Sequence, residues 1–172
     1  MDMREAIAAQ TSFSLRLSSH LLSLNGSAGS NLAFSPLSLH SVLSLLTAGS
    51  SGPTHQQLLW FLGCPLASNL VALYFQISNS ILVDGSAVGG PCICYAGGVW
   101  VDAGVNLKNS FREVAGSVYK AEAHGVPFRA LPEECRNQMN NWVQEMTAGH
   151  IKDLLPSGSV TVDTRLVLGN AM

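Results

Sequence analysis

Apolar residues recur at every third or fourth position along six stretches of the chain, which is the spacing of one helix face. The first stretch covers residues 1–24, and the others lie near 36–49, 54–62, 68–83, 107–120 and 133–148. Glycine lies at or just beyond the end of most of these stretches, as is common where helices end. The pattern therefore predicts six helices.

The start of the second helix is the most sharply defined. Ser35 is a residue type preferred at an N-cap, and Pro36 suits the first helical position. The helical period predicts a buried face made of four apolar residues, Leu39, Val42, Leu43 and Leu46. The next helix is expected to begin at Thr54, where Thr-His-Gln-Gln forms a capping-box pattern.

Between the helices, four segments are predicted to contain strands, at 31–36, 92–104, 121–128 and 165–172. The second of them is weakened by the glycines at 97 and 98, because glycine inside a strand offers no side chain to pack. Six helices with a few scattered strands predict an α+β fold. We found no repeat or linker, so the chain is expected to form one unit over residues 1–172.

The last segment, "RLVLGNAM" at 165–172, is apolar on both sides of a two-residue period. Such a strand is expected in the interior of a sheet. Asn170 shares a face with Leu166 and Leu168, where an amide without a hydrogen-bond partner would be costly.

The charge content excludes several classes of partner. The chain carries 9 Lys and Arg against 11 Asp and Glu, a formal net charge of -2, so a nucleic-acid-binding face is not expected. Charged residues make up 12% of the chain, against about 25% in a usual soluble domain. A surface with so few charges is a solubility risk for a lone domain and is less surprising if something else covers much of it.

The chain is also expected to be neither secreted nor inserted in a membrane. Its N-terminus mixes charges of both signs at Asp2, Arg4 and Glu5, unlike a secretory signal. The longest apolar run, at 70–75, is too short to span a bilayer. A cytoplasmic or nucleocytoplasmic location follows from these two observations.

Candidate chemistry is sparse. The five histidines show no metal-binding spacing and are interpreted as surface or packing residues. Four cysteines without a secretion signal predict free thiols, although Cys92 and Cys94 would point the same way from a strand and leave a thiol pair or a shared metal as an alternative. Neither a P-loop nor a hydrolase elbow is present. We therefore expect no cofactor, no metal site and no enzymatic activity.

Three long motifs in the chain resemble the serpin superfamily of serine protease inhibitors. They are "NLAFSPLSLHSVLSLLTAGSSGPTHQQLLWFLG" (31–63), "GGVWVDAGVNLKNSFREVAGSVYKAEAHGVPF" (97–128), which is worded as in plant serpins, and "MNNWVQEMTAGHIKDLLPSGSVTVDTRLVLGNAM" (139–172). The resemblance implies the N-terminal part of a serpin domain. Its fold would be an incomplete serpin fold, with about six helices packed on a partial β-sheet A.

The resemblance also implies how members of the family act. A protease attacks the reactive-centre loop and forms an acyl-enzyme, and the cleaved loop then inserts into sheet A as an extra strand. The loop and the later sheet strands have no counterpart in these 172 residues. The resemblance therefore predicts a truncated, plant-type serpin relative that does not inhibit proteases.

Two alternatives remain open on the sequence. If a longer native product exists, the family role of serine protease inhibition would be retained, with a serine protease as partner and, by family analogy, an extracellular location. Alternatively, residues 165–172 would act as a sheet edge that pairs with another strand or with a second copy of the chain.

Five residues match positions that form the shutter of the family, a polar cluster beneath sheet A: Asn31, Ser35, Pro36, Ser38 and Asn170. In that cluster, hydroxyl groups would satisfy the amide of Asn170. The chain departs from the family pattern at Gly97, in place of asparagine, and at Gly169, in place of the alanine usual in plant serpins. Glycine inside a strand costs roughly 0.5–1 kcal/mol, so we interpret both changes as loosened constraint.

Overall fold

The computed structural model describes residues 3–25, 31–93 and 95–171 of the chain. Its helices are α1 (Met3–Asn25), α2 (Pro36–Gly49), α3 (Gly52–Leu62), α4 (Ala67–Ser80), α5 (Asn109–Tyr119) and α6 (Pro132–Met146). The strands are β1 (Ala96–Asp102), β2 (Ala121–Val126) and β3 (Leu166–Ala171), and Ser86–Val88 forms a short 3-10 turn. Six helices and a three-stranded sheet in the described residues confirm the predicted α+β class.

The chain divides into two compact units, Met1–Ile77 and Ser78–Met172. In the first unit, α1, α2 and α3 pack against one another. Their core is a cluster of four fully buried side chains with partly buried leucines around it, and the four are Phe13, Leu62, Cys64 and Leu70. Burial of this apolar surface supplies the main stabilisation of the unit.

Two details of the first unit differ from the sequence prediction. Residues 31–35 form no strand, and the chain enters α2 directly from an extended Ser35. Helix α3 begins at Gly52, before the capping-box pattern at Thr54. Gly52 has a left-handed φ of 60° and Pro53 occupies the first turn, so the chain already turns into the helix ahead of Thr54.

The second unit contains the sheet, in the order β2-β1-β3. The central strand β1 is buried along its whole length. It runs parallel to β2 and antiparallel to β3. Helix α5 joins β1 to β2, as a parallel pair requires a crossover connection. The register places Trp100 of β1 between His124 of β2 and Val167 of β3.

The strand β3 corrects one expectation. Among the described residues it pairs with β1 alone, so it is an edge strand and not the interior strand that its sequence predicts. Leu166 is 40% exposed, and residues 167–170 are half-buried. A strand is buried on both faces only when layers cover both, and here α6 contacts β3 from one side. Met172, the last residue of the predicted strand, lies outside the described residues.

Helix α6 covers the sheet of the second unit. The buried cluster between them combines an indole, a phenyl ring, a thiol and aliphatic groups, and it contains Trp100, Val126, Phe128, Cys135, Met139 and Val160. Across the described ranges no single helix is long and apolar enough to cross a membrane, and only the bent pair of α3 and α4 passes on joint length and composition.

Candidate functional site

Three of the five predicted shutter residues meet at the start of α2. Ser35 is the N-cap with φ -113° and ψ 104°, and its Oγ accepts a hydrogen bond from the backbone N–H of Ser38 at 3.2 Å. Pro36 occupies the first helical turn, where its missing N–H costs nothing. Asn31 lies in the exposed segment that leads into this turn. The predicted cap is confirmed.

Next to this cap, α2 buries a polar face. Its fully buried residues are His40, Ser41, Ser44, Leu45 and Thr47. The predicted apolar face is wrong, because Leu39 is 45% exposed and the other three members are half-buried. Short hydroxyl side chains can be buried when they bond to the helix itself, and Thr47 Oγ1 donates to the Leu43 carbonyl oxygen at 2.8 Å.

The centre of the polar face is His40, which is 1% exposed. Its Nδ1 lies 2.7 Å from the Tyr74 hydroxyl and 3.4 Å from Ser44 Oγ. The rings of Phe13 and His40 are in a T-shaped arrangement, with centroids 5.0 Å apart. Burial lowers the pKa of His40 to about 4, so the imidazole is neutral near neutral pH. Its Nε2 is buried without a hydrogen-bond partner among the described residues.

The sequence interpretation of the histidines as surface or packing residues covers His40, but it gave no sign of this cluster. A residue with a polar ring among serines on a helix looks like a solvent-facing position. The sequence carries no signal for the cluster, because Phe13 and Tyr74 lie on other helices of the unit and only the packing brings them to His40.

The fifth predicted shutter residue, Asn170, lies on β3 opposite Gly97 of β1. Its Nδ2 donates to the Tyr95 hydroxyl at 3.3 Å. The register puts Asn170 on the same face of β3 as Leu166 and Leu168, as the two-residue period predicts. A hydroxyl group therefore does bond to the Asn170 amide as predicted, but it belongs to Tyr95 and not to a residue of the predicted shutter. The gathering of all five residues into one shutter cluster stays a prediction.

The two glycines that depart from the family pattern, Gly97 and Gly169, lie where there is little space for a side chain. A Cβ on Gly97 would lie 2.9 Å from the Cβ of Ala121 on the neighbouring strand. A Cβ on Gly169 would lie 3.0 Å from Cζ3 of Trp100. Real Cβ atoms rarely approach other heavy atoms this closely, so a side chain at either position would require its neighbour to shift. The glycines thus allow close packing within the sheet, and their interpretation as loosened constraint stays a prediction.

A second polar group connects β2 to α6. The Glu122 Oε2 atom lies 3.0 Å from His124 Nε2 and accepts a hydrogen bond from Trp142 Nε1 at 3.3 Å. Trp142 in turn packs edge-on against Trp100, with ring centroids 5.0 Å apart. Sequence reasoning missed this group because Glu122 and His124 lie on β2 and Trp142 lies on α6, and only the fold brings them together.

No metal or redox site emerges from the parts of the chain that are described. Within them, no three His, Cys, Asp or Glu side chains gather at a distance suited to a metal ion. Cys92 is exposed, and Cys94, its partner in the alternative of a thiol pair, lies outside the described residues. Burial raises the pKa of the Cys135 thiol, which keeps it protonated and unreactive.

Comparison with known proteins assigns the sheet and its helices to one family. The family model described as Serpin (serine protease inhibitor) matches residues 8–172. Serpin-ZXA of Oryza sativa subsp. japonica is 50% identical over 99% of this chain, and Serpin-Z2B of Triticum aestivum is 48% identical over the same share. The chain spans 44% and 43% of the lengths of these two relatives.

Solved structures give the same result. The native stressed conformation of Arabidopsis AtSerpin1 is 36% identical and superposes with a TM-score of 0.88, over 99% of this chain and 43% of that one. Native protease nexin-1 with heparin shares the fold at 21% identity, with a TM-score of 0.84. The six helices and three strands thus form a partial serpin fold, and the chain belongs to the serpin family, with similarity to the plant serpin-Z proteins.

Proposed function

We propose that a polypeptide of these 172 residues does not itself inhibit serine proteases, although it belongs to a family of inhibitors. The observation that carries this proposal is the strand order β2-β1-β3, in which β3 has a partner on one side only among the described residues. The inhibitory mechanism implied by the family requires a loop that serves as bait and two strands that part to admit it. Within the described residues, neither a bait loop nor a further strand on the open side of β3 is found.

The physical argument concerns the insertion step. A strand inserted between two others gains two ladders of hydrogen bonds, and this gain drives the displacement of the attached protease. A strand added beside β3 in this chain would gain one ladder, at an edge. It would form a reversible complex at most and could not distort a protease.

An inhibition assay tests this proposal. The 172-residue chain is incubated with a trypsin-like and a chymotrypsin-like serine protease, and the mixture is analysed on a denaturing gel and for residual activity. We expect proteolysis of the chain and full protease activity. The control is a longer serpin first shown to form a covalent complex in the same assay. A complex of the 172-residue chain that survives denaturation would contradict the proposal.

For a longer product that contains these residues, we propose the family role of serine protease inhibition. This rests on the family match and on the 44% share of the rice relative that the chain spans. An antibody against residues 139–160 would measure the mass of the native polypeptide. A band above twice 18.2 kDa, coupled to complex formation in the inhibition assay, is the expected result for this role. A band at 18.2 kDa alone would remove its basis.

A second candidate function for the 172-residue polypeptide is strand pairing with another copy of itself at residues 165–172. The backbone N–H of Asp102 donates to the Arg165 carbonyl oxygen at 3.0 Å. Along an antiparallel strand, residues that bond to the partner strand alternate with residues that do not. The backbone N–H and C=O groups of Leu166, Leu168 and Asn170 therefore point away from β1. An exposed row of such groups is a template for another strand.

Sedimentation of Leu168→Pro against Leu168→Val tests the pairing. Proline removes an outward N–H and leaves the bonds to β1 in place, whereas valine keeps the N–H and a similar apolar side chain. We expect the unchanged chain and the valine variant to dimerise with rising concentration and the proline variant to stay monomeric. Equal sedimentation of all three would exclude pairing through this edge.

A further inference from the structure

The indole of Trp100 covers two glycines that face each other across the sheet. Gly98 of β1 and Gly169 of β3 are register partners, and Trp100 lies two residues beyond Gly98 on the same face. A Cβ on Gly98 would overlap the indole, and one on Gly169 would lie 3.0 Å from its Cζ3 atom. The ring is only 2% exposed, and it takes the place of the two missing side chains.

Helix α6 packs against the same indole through Trp142. Trp142 meets it edge to face, with ring centroids 5.0 Å apart and an interplanar angle of 83°. This arrangement is favourable for aromatic pairs because the positive edge of one ring faces the negative face of the other. His124 of β2 stacks on Trp100 at 6.0 Å and 19°. Trp100 therefore touches β2, β3 and α6.

The position of Trp142 is fixed in turn by a carboxylate. Its Nε1 donates to Glu122 Oε2 at 3.3 Å, and the same oxygen lies 3.0 Å from His124 Nε2. Glu122 is on β2, so the hydrogen bond connects α6 to β2, which lies on the other side of β1 from β3. It orients the Trp142 ring against Trp100 and does not itself touch the glycines.

We propose that Trp142 and Trp100 form a latch that couples α6 to the pairing of β1 with β3. Because both glycines lack side chains, the backbone hydrogen bonds at this point are shielded from water mainly by the Trp100 ring. Without Trp142 the ring loses the contact that holds it down and can rotate off the glycines. The β1–β3 pairing then opens to solvent, so α6 and β3 open together.

Amide hydrogen exchange of the full 172-residue chain tests the latch. In Trp142→Ala, exchange at the amides of Val167, Gly169 and Ala171, the residues of β3 that bond to β1, is expected to rise by up to about tenfold, as an aromatic pair is worth about 0.5–1.5 kcal/mol. Exchange in α5 should not change. The matched control is Trp60→Phe, since Trp60 is 82% exposed on α3. Unchanged exchange in β3 together with faster exchange in α6 would overturn the proposal.

The milder variant Trp142→Phe keeps the test decisive if the alanine variant does not fold. It retains an aromatic ring with less contact, and exchange in β3 should rise about twofold to threefold. No rise beyond that of Trp60→Phe would also overturn the latch.

A spectroscopic measurement separates the latch from general packing. Two indoles in contact produce a coupled pair of bands in circular dichroism, and Trp60→Phe leaves Trp100 and Trp142 as the only tryptophans of the chain. In that background, Glu122→Ala should weaken the coupled bands and raise exchange in β3 together, because it releases Trp142. If the bands weaken and exchange in β3 stays the same, the two elements are not coupled through the indoles.

Discussion

Asn140 of α6 holds the backbone of Leu155 at both of its polar atoms. The Asn140 Oδ1 atom accepts from the Leu155 N–H at 2.8 Å, and Nδ2 donates to the Leu155 carbonyl oxygen at 3.0 Å. Arg136 Nη1 donates to the same carbonyl oxygen at 2.9 Å. The segment between α6 and β3 is therefore tied to the helix by a buried amide.

Substitution of this amide should destabilise the chain. Asn140→Ala removes a buried amide and leaves the Leu155 N–H, on a half-buried residue, without this partner, so we expect a loss of about 1–3 kcal/mol in the free energy of unfolding, measured by urea denaturation. Asn141→Ala is the matched control, because Asn141 is the exposed next residue of the same helix and corrects for helix propensity. Equal stabilities of the two variants would show that the Leu155 contacts contribute nothing.

The fit of Trp100 over Gly98 gives a second prediction. Gly98→Ala places a methyl group inside the indole and should cost about 1–3 kcal/mol of unfolding free energy, as overpacked cores do. Gly125→Ala is the control within the same sheet, because nothing lies within 4 Å of a Cβ there. That variant should be neutral or more stable by about 0.5–1 kcal/mol. Thermal melts followed by circular dichroism would compare them.

The buried imidazole of His40 should make the chain acid-sensitive. Its pKa is lowered to about 4 in the folded chain, against the ordinary 6.5 when unfolded, so the unfolded chain binds the proton first as the pH falls. The contribution to stability is complete above pH 6.5 and is lost as the pH falls from about 6.5 to about 4, by about 3 kcal/mol in total. The imidazolium also carries an N–H at Nε2, which is buried without a partner among the described residues.

Unfolding in urea at several pH values checks this dependence. In His40→Gln the loss between pH 6.5 and 4 should shrink by about the same 3 kcal/mol. Tyr74→Phe removes the hydroxyl and leaves the burial, so it should lower stability at every pH and keep the slope. An unchanged slope in His40→Gln would mean that other groups cause the acid sensitivity.

The capping prediction can be tested with a pair of serines. Ser35 bonds to the Ser38 N–H, so Ser35→Ala should cost about 1 kcal/mol of unfolding free energy. Ser51 is the N-cap of α3 but its side chain makes no capping hydrogen bond, so Ser51→Ala should change stability much less. Ser35→Asp should restore most of the loss, because aspartate accepts the same bond. Equal costs at both serines would contradict the assignment.

Much of the architecture follows from local sequence features. The helical period and the strand alternation predicted all six helices and the three strands of the sheet, although β1 proved shorter than 92–104 and the strand at 31–36 was wrong. The cap at Ser35 and the face shared by Asn170, Leu166 and Leu168 were also correct. The helices, the strands, the cap and the strand face depend only on residues that are close together in the sequence, so the spacing of apolar and polar residues is enough to predict them.

The sequence by itself therefore determined the helices, the strands, the cap of α2 and membership of the serpin family. Only the tertiary structure decided that α2 buries its serines and His40, that the glycines at 98 and 169 accommodate Trp100, and that Glu122 serves both His124 and Trp142. The physical reason is that burial, steric fit and shared hydrogen bonds depend on groups brought together from separate elements. Such contacts leave no periodic trace in the sequence of any one element.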